Sequence, residues 1–178
     1  QTGEIDIMEY VGKLPTEIFG TIHGPGYSGG QSFGGTHDFG TDLSNQWLTF
    51  SVEWEQGQIR WYVQRDGGER ILFHTATPQD VAPNEWVYEH PFFLHMNMAV
   101  GGNFGGALSS DLTFPQELAV DYIRVYQAPD AAERFETTFV DDQAGWRWVE
   151  LPFAGFSRAG EQPEGAADDG LGLTAVTG

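Results

Sequence analysis

The sequence contains no cysteine among its 178 residues. This absence excludes disulfides, zinc sites built on thiolates and a cysteine nucleophile. It does not exclude secretion, because a β-sandwich of this size can fold without disulfides. The chain has no apolar run near the ~18 residues of a membrane-spanning helix, and it shows no signal peptide. Because Gln1 lies inside an apparent strand, we expect an N-terminal truncation.

Positive charge is scarce in this chain. Only 8 residues are Lys or Arg against 26 Asp and Glu, which gives a net charge of -18 at pH 7, and Lys13 is the single lysine. A surface this acidic repels nucleic-acid phosphates and anionic lipids, so we expect neither nucleic acid nor membrane as a partner. The same charge disfavours a strongly sulfated or uronic substrate.

Turn formers and β formers make up much of the chain. Its 24 glycines and 9 prolines separate short runs rich in Val, Ile, Phe, Tyr and Trp, and 14% of its residues are aromatic. This pattern predicts an all-β fold with many turns. The stretch TPQDVAPNEWVYEHP between two of the runs is predicted to be irregular. The predicted strands after the first are Glu17–Gly24, Trp47–Trp54, Gln58–Arg65, Arg70–Ala76, Phe92–Val100 and Glu117–Gln127.

Two regions are predicted from the pattern of the C-terminal third. Residues 1–127 form the first region, and residues 128–132 read as a linker because they are small, contain Pro129 and lack periodicity. Residues 133–178 resume the β pattern but supply too few strands to close a sheet. We therefore expect only part of a second β-sandwich.

Three carboxylates lie close together in the first nine residues, at Glu4, Asp6 and Glu9. Strict alternation would put Glu9 on the opposite face of the strand. A β-bulge at Ile7 and Met8 would return it to the face of the other two acids. Three crowded acids cannot all ionise easily, so we expect one to hold a proton near neutral pH, as a general acid must.

This ExDxxE pattern permits more than one interpretation. Paired carboxylates are the working groups of most glycoside hydrolases. Acids that alternate with isoleucines also mark the solvated face of a sheet. Calcium binding by the same acids is conceivable, although no EF-hand spacing is present.

The segments GEIDIMEYVGK, IFGTIHGPGYSGG, FSVEWEQGQIRWYVQRDG, HPFFLHMNMAVGGNFGG and VDYIRVYQ closely resemble the laminarinase-like endo-β-1,3-glucanases of glycoside hydrolase family 16. The resemblance implies a concanavalin A-like β-jelly-roll sandwich, incomplete here at its N-terminus, and a retaining mechanism. It implies that Glu4 is the nucleophile, Glu9 the general acid/base and Asp6 the assisting carboxylate. Met8 marks the bulged signature of laminarinases, which lichenases typically lack.

The resemblance also implies sugar contacts and a metal ligand. His23 and Asn97 match positions that contact sugar, and Trp54 is carried as a stacking residue. Phe104 stands where a Trp is common in the family. Asp121 resembles a contributor to a calcium site, so structural calcium is an expectation, while no cofactor is required for catalysis. The alternatives are a surface histidine for His23, a buried amide for Asn97, a core aromatic for Trp54 and a solvated acid for Asp121.

The second region, with WRWVELPFAGFSR, resembles a family 11-type carbohydrate-binding module. A generic immunoglobulin-like or galactose-binding-like fragment is the alternative. Together the two resemblances imply a secreted, monomeric enzyme that cleaves β-1,3-glucan internally by double displacement. A mixed-linkage β-glucanase, a galactan hydrolase of the same family and a non-catalytic glucan-binding module remain open alternatives.

Overall fold

A computed structural model describes residues 3–126, 134–137, 149–151 and 156–158. Within these ranges the regular structure is mostly strand, and the paired strands are antiparallel, which confirms the predicted all-β class. The strands are β1 (Glu4–Glu9), β2 (Glu17–His23), β3 (Phe33–Asp38), β4 (Leu48–Glu55), β5 (Gln58–Arg65), β6 (Arg70–Ala76), β7 (Leu94–Met96), β8 (Ile123–Tyr126), β9 (Arg134–Thr137), β10 (Val149–Leu151) and β11 (Ser157–Arg158).

Two helices of a single turn, α1 (Pro78–Val81) and α2 (Gly102–Gly105), lie among the strands. The first falls inside the stretch predicted to be irregular. It forms because Thr77 and Asp80 make a capping box at its start and Pro78 occupies its first turn. Among the described residues, no helix is long or apolar enough to cross a membrane.

The chain forms two compact units. Of the described residues, the first unit contains residues 3–90 and Asn103–Gly106, and the second contains Pro91–Gly102 and the described residues from Ala107 onward. The predicted linker at residues 128–132 lies outside the described residues. The division into two domains at that linker therefore stays a prediction.

Strands β4, β5 and β6 form a three-stranded sheet in the first unit, in that order. The hairpin of β4 and β5 and the following turn into β6 were predicted from their alternating patterns, and both are confirmed. Gly57 and Gly67 sit in the two turns with positive φ angles of 72° and 65°. Glycine adopts this conformation without strain, which explains why the two turns are tight.

Strands β1, β2 and β3 form the other sheet of the first unit, with β2 in the centre. Along β2 the side chains alternate between two environments. Ile18 and Ile22 are fully buried, at 1% and 0% exposure, on the face that points to the core. Phe19, Thr21 and His23 lie on the opposite face, because successive side chains of a strand point in opposite directions.

The two sheets pack against each other through their inner faces. Trp61 on β5 is fully buried, and a Cβ atom built on Gly20 of β2 would lie only 2.4 Å from its ring. A Cβ on Gly35 of β3 would likewise lie 2.5 Å from the ring of His74 on β6. These two glycines thus allow the sheets to approach closely, and burial lowers the pKa of His74, which favours its neutral form in the core.

The second unit has shorter strands than the sequence predicts. Of the predicted strand Phe92–Val100, only β7 is a strand, and it pairs with β10. Of the described part of the predicted strand Glu117–Gln127, which ends at Tyr126, only β8 is a strand, and it pairs with β9, which pairs in turn with β11. Both predictions were wrong in length, because a strand extends only as far as a neighbour supplies ladder hydrogen bonds.

Candidate active site

The strand that carries the three acids is bulged where the sequence predicts it. Asp6 pairs with Thr21 and Glu9 pairs with Phe19, so three steps along β1 correspond to two along β2. The extra residue falls between Asp6 and Glu9 and returns Glu9 to the face of Asp6. The predicted β-bulge is therefore confirmed, and it places the three acids on one face of the strand.

The acid-bearing face of the sheet continues onto β2. Glu4 pairs with His23, and paired residues of antiparallel strands share a face. The site face therefore combines the three acids of β1 with Phe19, Thr21 and His23 of β2. Glu4 is exposed, whereas Asp6 and Glu9 are half-buried.

Asp6 is the acid that holds a proton near neutral pH. Burial raises the pKa of its carboxyl to about 8, and the charges of Glu4 and Glu9 add to the effect. A hydrogen bond with the Glu4 carboxyl contributes in the same direction. The expectation that one of the three acids would be protonated is thus met at the middle acid.

His23 contacts Asp6 directly. Its Nε2 atom lies 2.9 Å from Oδ2 of Asp6, and the two side chains are 16% and 19% exposed. Oδ2 is buried, and the contact is not aligned as a regular hydrogen bond. The other ring nitrogen, Nδ1, accepts a hydrogen bond from the backbone N–H of Gly29 at 3.2 Å. Because Nδ1 accepts, Nε2 is the ring nitrogen that carries a hydrogen, and it is the nitrogen nearest Asp6.

Thr21 orients Glu9, a role that was not predicted from the sequence. Its hydroxyl donates a hydrogen bond to Oε2 of Glu9, with 2.9 Å between the oxygen atoms. The side chain is buried at 6% exposure, although threonine is a common surface residue of strands. Its place two residues before His23 in GTIH is only a weak sequence signal for this role, since the contact with Glu9 depends on the register that the bulge creates.

The backbone of the acid-bearing strand is held from the core. The indole N–H of Trp61 donates to the carbonyl oxygen of Asp6 at 2.9 Å. At the start of the strand, a Cβ on Gly3 would lie 3.0 Å from Val87 and 3.1 Å from the ring of Tyr88. Burial raises the pKa of the Tyr88 phenol, and nearby charges that include Asp6 add to this shift. These contacts make the base of the site rigid.

Two phenylalanine rings extend the site beyond the acids. Phe104 of α2 packs edge-on against Phe19 of β2, with ring centroids 5.5 Å apart. The ammonium group of Lys13 lies 6.0 Å from the centroid of the Phe104 ring. Phe104 is 46% exposed, so one part of this aromatic surface faces solvent. Such a surface can stack on the apolar face of a sugar ring.

Trp54 does not lie with the acids. It pairs with the fully buried Ile59, so it lies on the inner face of its sheet. Its indole N–H donates to the carbonyl oxygen of Tyr88 at 2.8 Å. Trp61 of β5 is fully buried on the same inner face. The position of Trp54 is also that of a core aromatic, so its predicted stacking on sugar gains no support from the structure.

Asn97 and Asp121 belong to the second compact unit. Asn97 is exposed and follows β7, and Asp121 is exposed and precedes β8. Their predicted roles in sugar and calcium binding stay predictions.

Three side chains of the acid group could act together as metal ligands. Over the ranges that the structure describes, one set of at least three His, Asp or Glu residues offers ligand atoms within 4.8 Å of one another, namely Asp6, Glu9 and His23. Calcium prefers six to eight oxygen ligands. Two carboxylates and an imidazole do not match that preference, and Asp121 is not part of such a set.

This arrangement can perform acid–base and nucleophilic chemistry. The exposed Glu4 can reach a bound ligand, the half-buried Glu9 is oriented by a hydroxyl, and Asp6 sits between them with a proton near neutral pH. Two carboxylates with different environments are what general acid catalysis beside a carboxylate nucleophile requires.

The sequence profile described as "Beta-glucan synthesis-associated protein SKN1/KRE6/Sbg1" matches residues 34–138 of this chain. The matched range covers more than half of the 178 residues and begins after the acid-bearing strand.

Three similar proteins have related names. The glucan endo-1,3-beta-glucosidase A1 of Niallia circulans is 40% identical over 134 residues, which cover 71% of this chain and 19% of that protein. A beta-glucanase of Rhodothermus marinus is 38% identical over 128 residues, which cover 70% of this chain and 44% of that protein. The crystal structure of the laminarinase catalytic domain of Thermotoga maritima is similar with a TM-score of 0.56 and 43% identity, covering 64% of this chain and 45% of that one. The chain thus spans less than half the length of each of these relatives.

Proposed function

Because this chain belongs to the beta-glucan synthesis-associated SKN1/KRE6/Sbg1 family, of glycoside hydrolase family 16 type with a jelly-roll fold, we propose that it hydrolyses β-1,3-glucan internally with retention. The observation that carries the proposal is the bulge in β1. It puts Glu4, Asp6 and Glu9 on one face, where a nucleophile and an acid/base can work on the same glycosidic bond.

The reaction would proceed by double displacement. A carboxylate oxygen of Glu4 attacks the anomeric carbon and forms a glycosyl ester, while the bond to the leaving oxygen breaks. Glu9 gives its proton to that oxygen. In the second step Glu9 takes a proton from water, the water oxygen attacks the anomeric carbon, and Glu4 leaves as a carboxylate. Atoms and charge balance over the two steps, and the β configuration is retained.

Asp6 would tune the nucleophile, Glu4. With its pKa raised to about 8, the carboxyl is neutral at pH 7 and can share its hydrogen with Glu4. A neutral Asp6 also separates Glu4 from Glu9 without placing a negative charge between them. His23 supports this arrangement by placing Nε2 beside the Asp6 carboxyl. Because both ring nitrogens lie next to protein atoms, the flat face of the ring is the part of His23 that could contact sugar.

The substrate class follows from the relatives and from charge. The names of the relatives include glucan endo-1,3-beta-glucosidase, beta-glucanase and laminarinase. A net charge of -18 suits an uncharged glucan better than a sulfated one. We propose that the protein is secreted and monomeric, needs no cofactor for catalysis, and carries a glucan-binding module at residues 133–178. A structural calcium remains part of the proposal only through Asp121.

The roles of the two glutamates can be tested with azide as an external nucleophile. Full-length Glu4→Ala and Glu9→Ala variants are given an aryl β-1,3-glucoside with a good leaving group, with and without azide. Azide entering the space of a missing nucleophile displaces the aryl group once and yields the α-glycosyl azide. Azide that resolves a glycosyl-Glu4 ester in the other variant yields the β-glycosyl azide. The same anomer from both variants would contradict the assignment.

The linkage is tested by product analysis on laminarin, lichenan and agarose. We expect internal cleavage of laminarin, with oligosaccharides released early. Faster cleavage of lichenan than of laminarin would indicate a mixed-linkage β-glucanase, and reducing ends from agarose alone would indicate a galactan hydrolase. Tight binding to laminarin with no turnover by the unaltered full-length protein would indicate a glucan-binding module instead.

A further inference from the structure

Thr21 is a buried polar residue on the site face with a specific partner. Its side chain is 6% exposed, and its hydroxyl lies 2.9 Å from Oε2 of Glu9. A buried hydroxyl needs a hydrogen-bond partner, and a carboxylate is a strong acceptor. The contact therefore restrains both side chains, and it orients the Glu9 carboxyl relative to the strand.

The bond leaves one oxygen of Glu9 available for proton transfer. Oε2 accepts from Thr21, whereas Oε1 makes no hydrogen bond within the part of the chain that the structure describes. When the hydroxyl donates to Oε2, a proton carried by Glu9 lies on Oε1. Oε1 is then the oxygen that would give a proton to the leaving group and receive one from water.

Gly34 on β3 provides the space that the Thr21 hydroxyl occupies. It pairs with Thr21 in the ladder of β2 and β3. A Cβ on Gly34 would lie 2.9 Å from the Thr21 hydroxyl oxygen and 2.8 Å from the carbonyl oxygen of Gly20. The backbone oxygen belongs to the central strand and cannot move aside easily. A side chain at position 34 would therefore push the hydroxyl away from Glu9.

We propose that Thr21 is a positioning residue that presents Oε1 of Glu9 to the leaving oxygen, and that Gly34 is required for this role. The inference rests on the proposed hydrolysis and deepens it, because it assigns the proton-transferring oxygen. Thr21 itself touches no reacting atom. Its effect is confined to the two proton transfers that Glu9 performs.

The test compares two leaving groups on the same β-1,3-glucan oligosaccharide in the full-length protein. Departure of a sugar alcohol needs a proton, whereas departure of dinitrophenolate does not. Thr21→Val removes the hydroxyl at nearly constant shape. We expect its kcat/KM to fall roughly 10- to 100-fold for the sugar leaving group and less than about threefold for dinitrophenolate, within the usual contribution of general acid catalysis.

Three companion variants separate positioning from folding. Thr21→Ser keeps the hydroxyl and should recover most of the lost activity. Gly34→Ala keeps threonine at position 21 but displaces its hydroxyl, so it should reproduce the selective loss for the sugar leaving group. Thr75→Val makes the same chemical change in β6 of the other sheet and should leave both rates unchanged. Circular dichroism and thermal unfolding of each variant measure the fold.

Equal losses on both leaving groups in Thr21→Val and Gly34→Ala would overturn the positioning role and indicate a structural one. An unchanged rate in Thr21→Val would overturn it as well. If Thr21→Val does not fold, the leaving-group comparison in Gly34→Ala decides. Turnover of neither substrate by the unaltered protein would overturn the proposed hydrolysis itself, an outcome distinct from the first two.

Discussion

The imidazole of His23 and the carboxyl of Asp6 face each other across neighbouring strands, with Nε2 2.9 Å from Oδ2. The backbone N–H of Gly29 occupies the other ring nitrogen at 3.2 Å. Nε2 is therefore the ring nitrogen that carries a hydrogen, and it is the one beside the Asp6 carboxyl. This placement matters because Asp6 uses its own hydrogen toward Glu4.

The hydrogen on Nε2 of His23 predicts different outcomes for two substitutions of this residue by an amide side chain. The amide nitrogen of Gln can reach about where Nε2 lies, whereas that of Asn reaches only about as far as Nδ1. We expect His23→Asn to lose roughly 10- to 100-fold in kcat/KM on laminarin, the equivalent of one hydrogen bond to a charged or buried carboxyl. We expect His23→Gln to lose less than about tenfold. Steady-state kinetics at one pH measures both, and equal losses in the two variants would rule out a role for the hydrogen on Nε2.

The raised pKa of Asp6 predicts a pH dependence of stability. The folded chain holds this proton up to about pH 8, whereas the unfolded chain releases it near the ordinary value of 3.8. Between these values unfolding releases a proton, so the free energy of unfolding falls as pH rises, by at most about 1.4 kcal/mol per pH unit. The stabilisation is complete below about pH 4 and is lost above about pH 8. Asp6→Asn cannot titrate and should lack this decline.

Denaturant unfolding of the full chain at pH 5, 6, 7 and 8 measures the difference between the wild type and Asp6→Asn. Asp38→Asn is the matched control, because the backbone N–H of Gly40 holds the pKa of exposed Asp38 below its ordinary value. That group stays ionised throughout this range in both states. Parallel pH profiles of wild type and Asp6→Asn would show that Asp6 carries no proton in the fold.

The contact between Gly20 and Trp61 predicts a stability effect. Alanine at position 20 would put its Cβ atom 2.4 Å from Cδ1 of an indole that is fully buried and hydrogen-bonded to Asp6. The ring cannot move without loss of that bond, so we expect Gly20→Ala to destabilise the chain by about 1–3 kcal/mol.

Gly12→Ala is the control, because a Cβ there meets nothing within 4 Å, and its effect should stay within about 0.5 kcal/mol. Urea unfolding of both variants measures the difference. Equal stability of Gly20→Ala and Gly12→Ala would mean that the two sheets can separate at this point without cost.

Local rules were enough to predict the elements that depend on neighbours along the chain. The hairpin of β4 and β5 follows from alternation and a glycine turn, and the bulge follows from one acid out of register. Phe92–Val100 has the same kind of pattern, yet only β7 forms, because strand length depends on a distant partner. The pattern of one strand does not specify over how many residues the partner strand pairs with it.

The same distinction between local pattern and distant contacts applies to the residues of the site. The three acids were identifiable from the sequence, but Thr21 was not, since its contact with Glu9 exists only in the shifted register. Which of three crowded acids keeps the proton depends on burial, and burial is a property of the assembled sheets. Composition also suggested that glycines mark turns, whereas Gly20 and Gly35 lie within strands and serve sheet packing.

The hydrogen bond from Trp61 to the Asp6 carbonyl crosses from one sheet to the other. Among the described strands, β1 is at the edge of its sheet, and edge strands are commonly the first to fray. Here the donor is buried in the interior, so detachment of β1 would leave the indole N–H of Trp61 without this acceptor. This cost couples the order of the acid-bearing strand to the docking of the two layers.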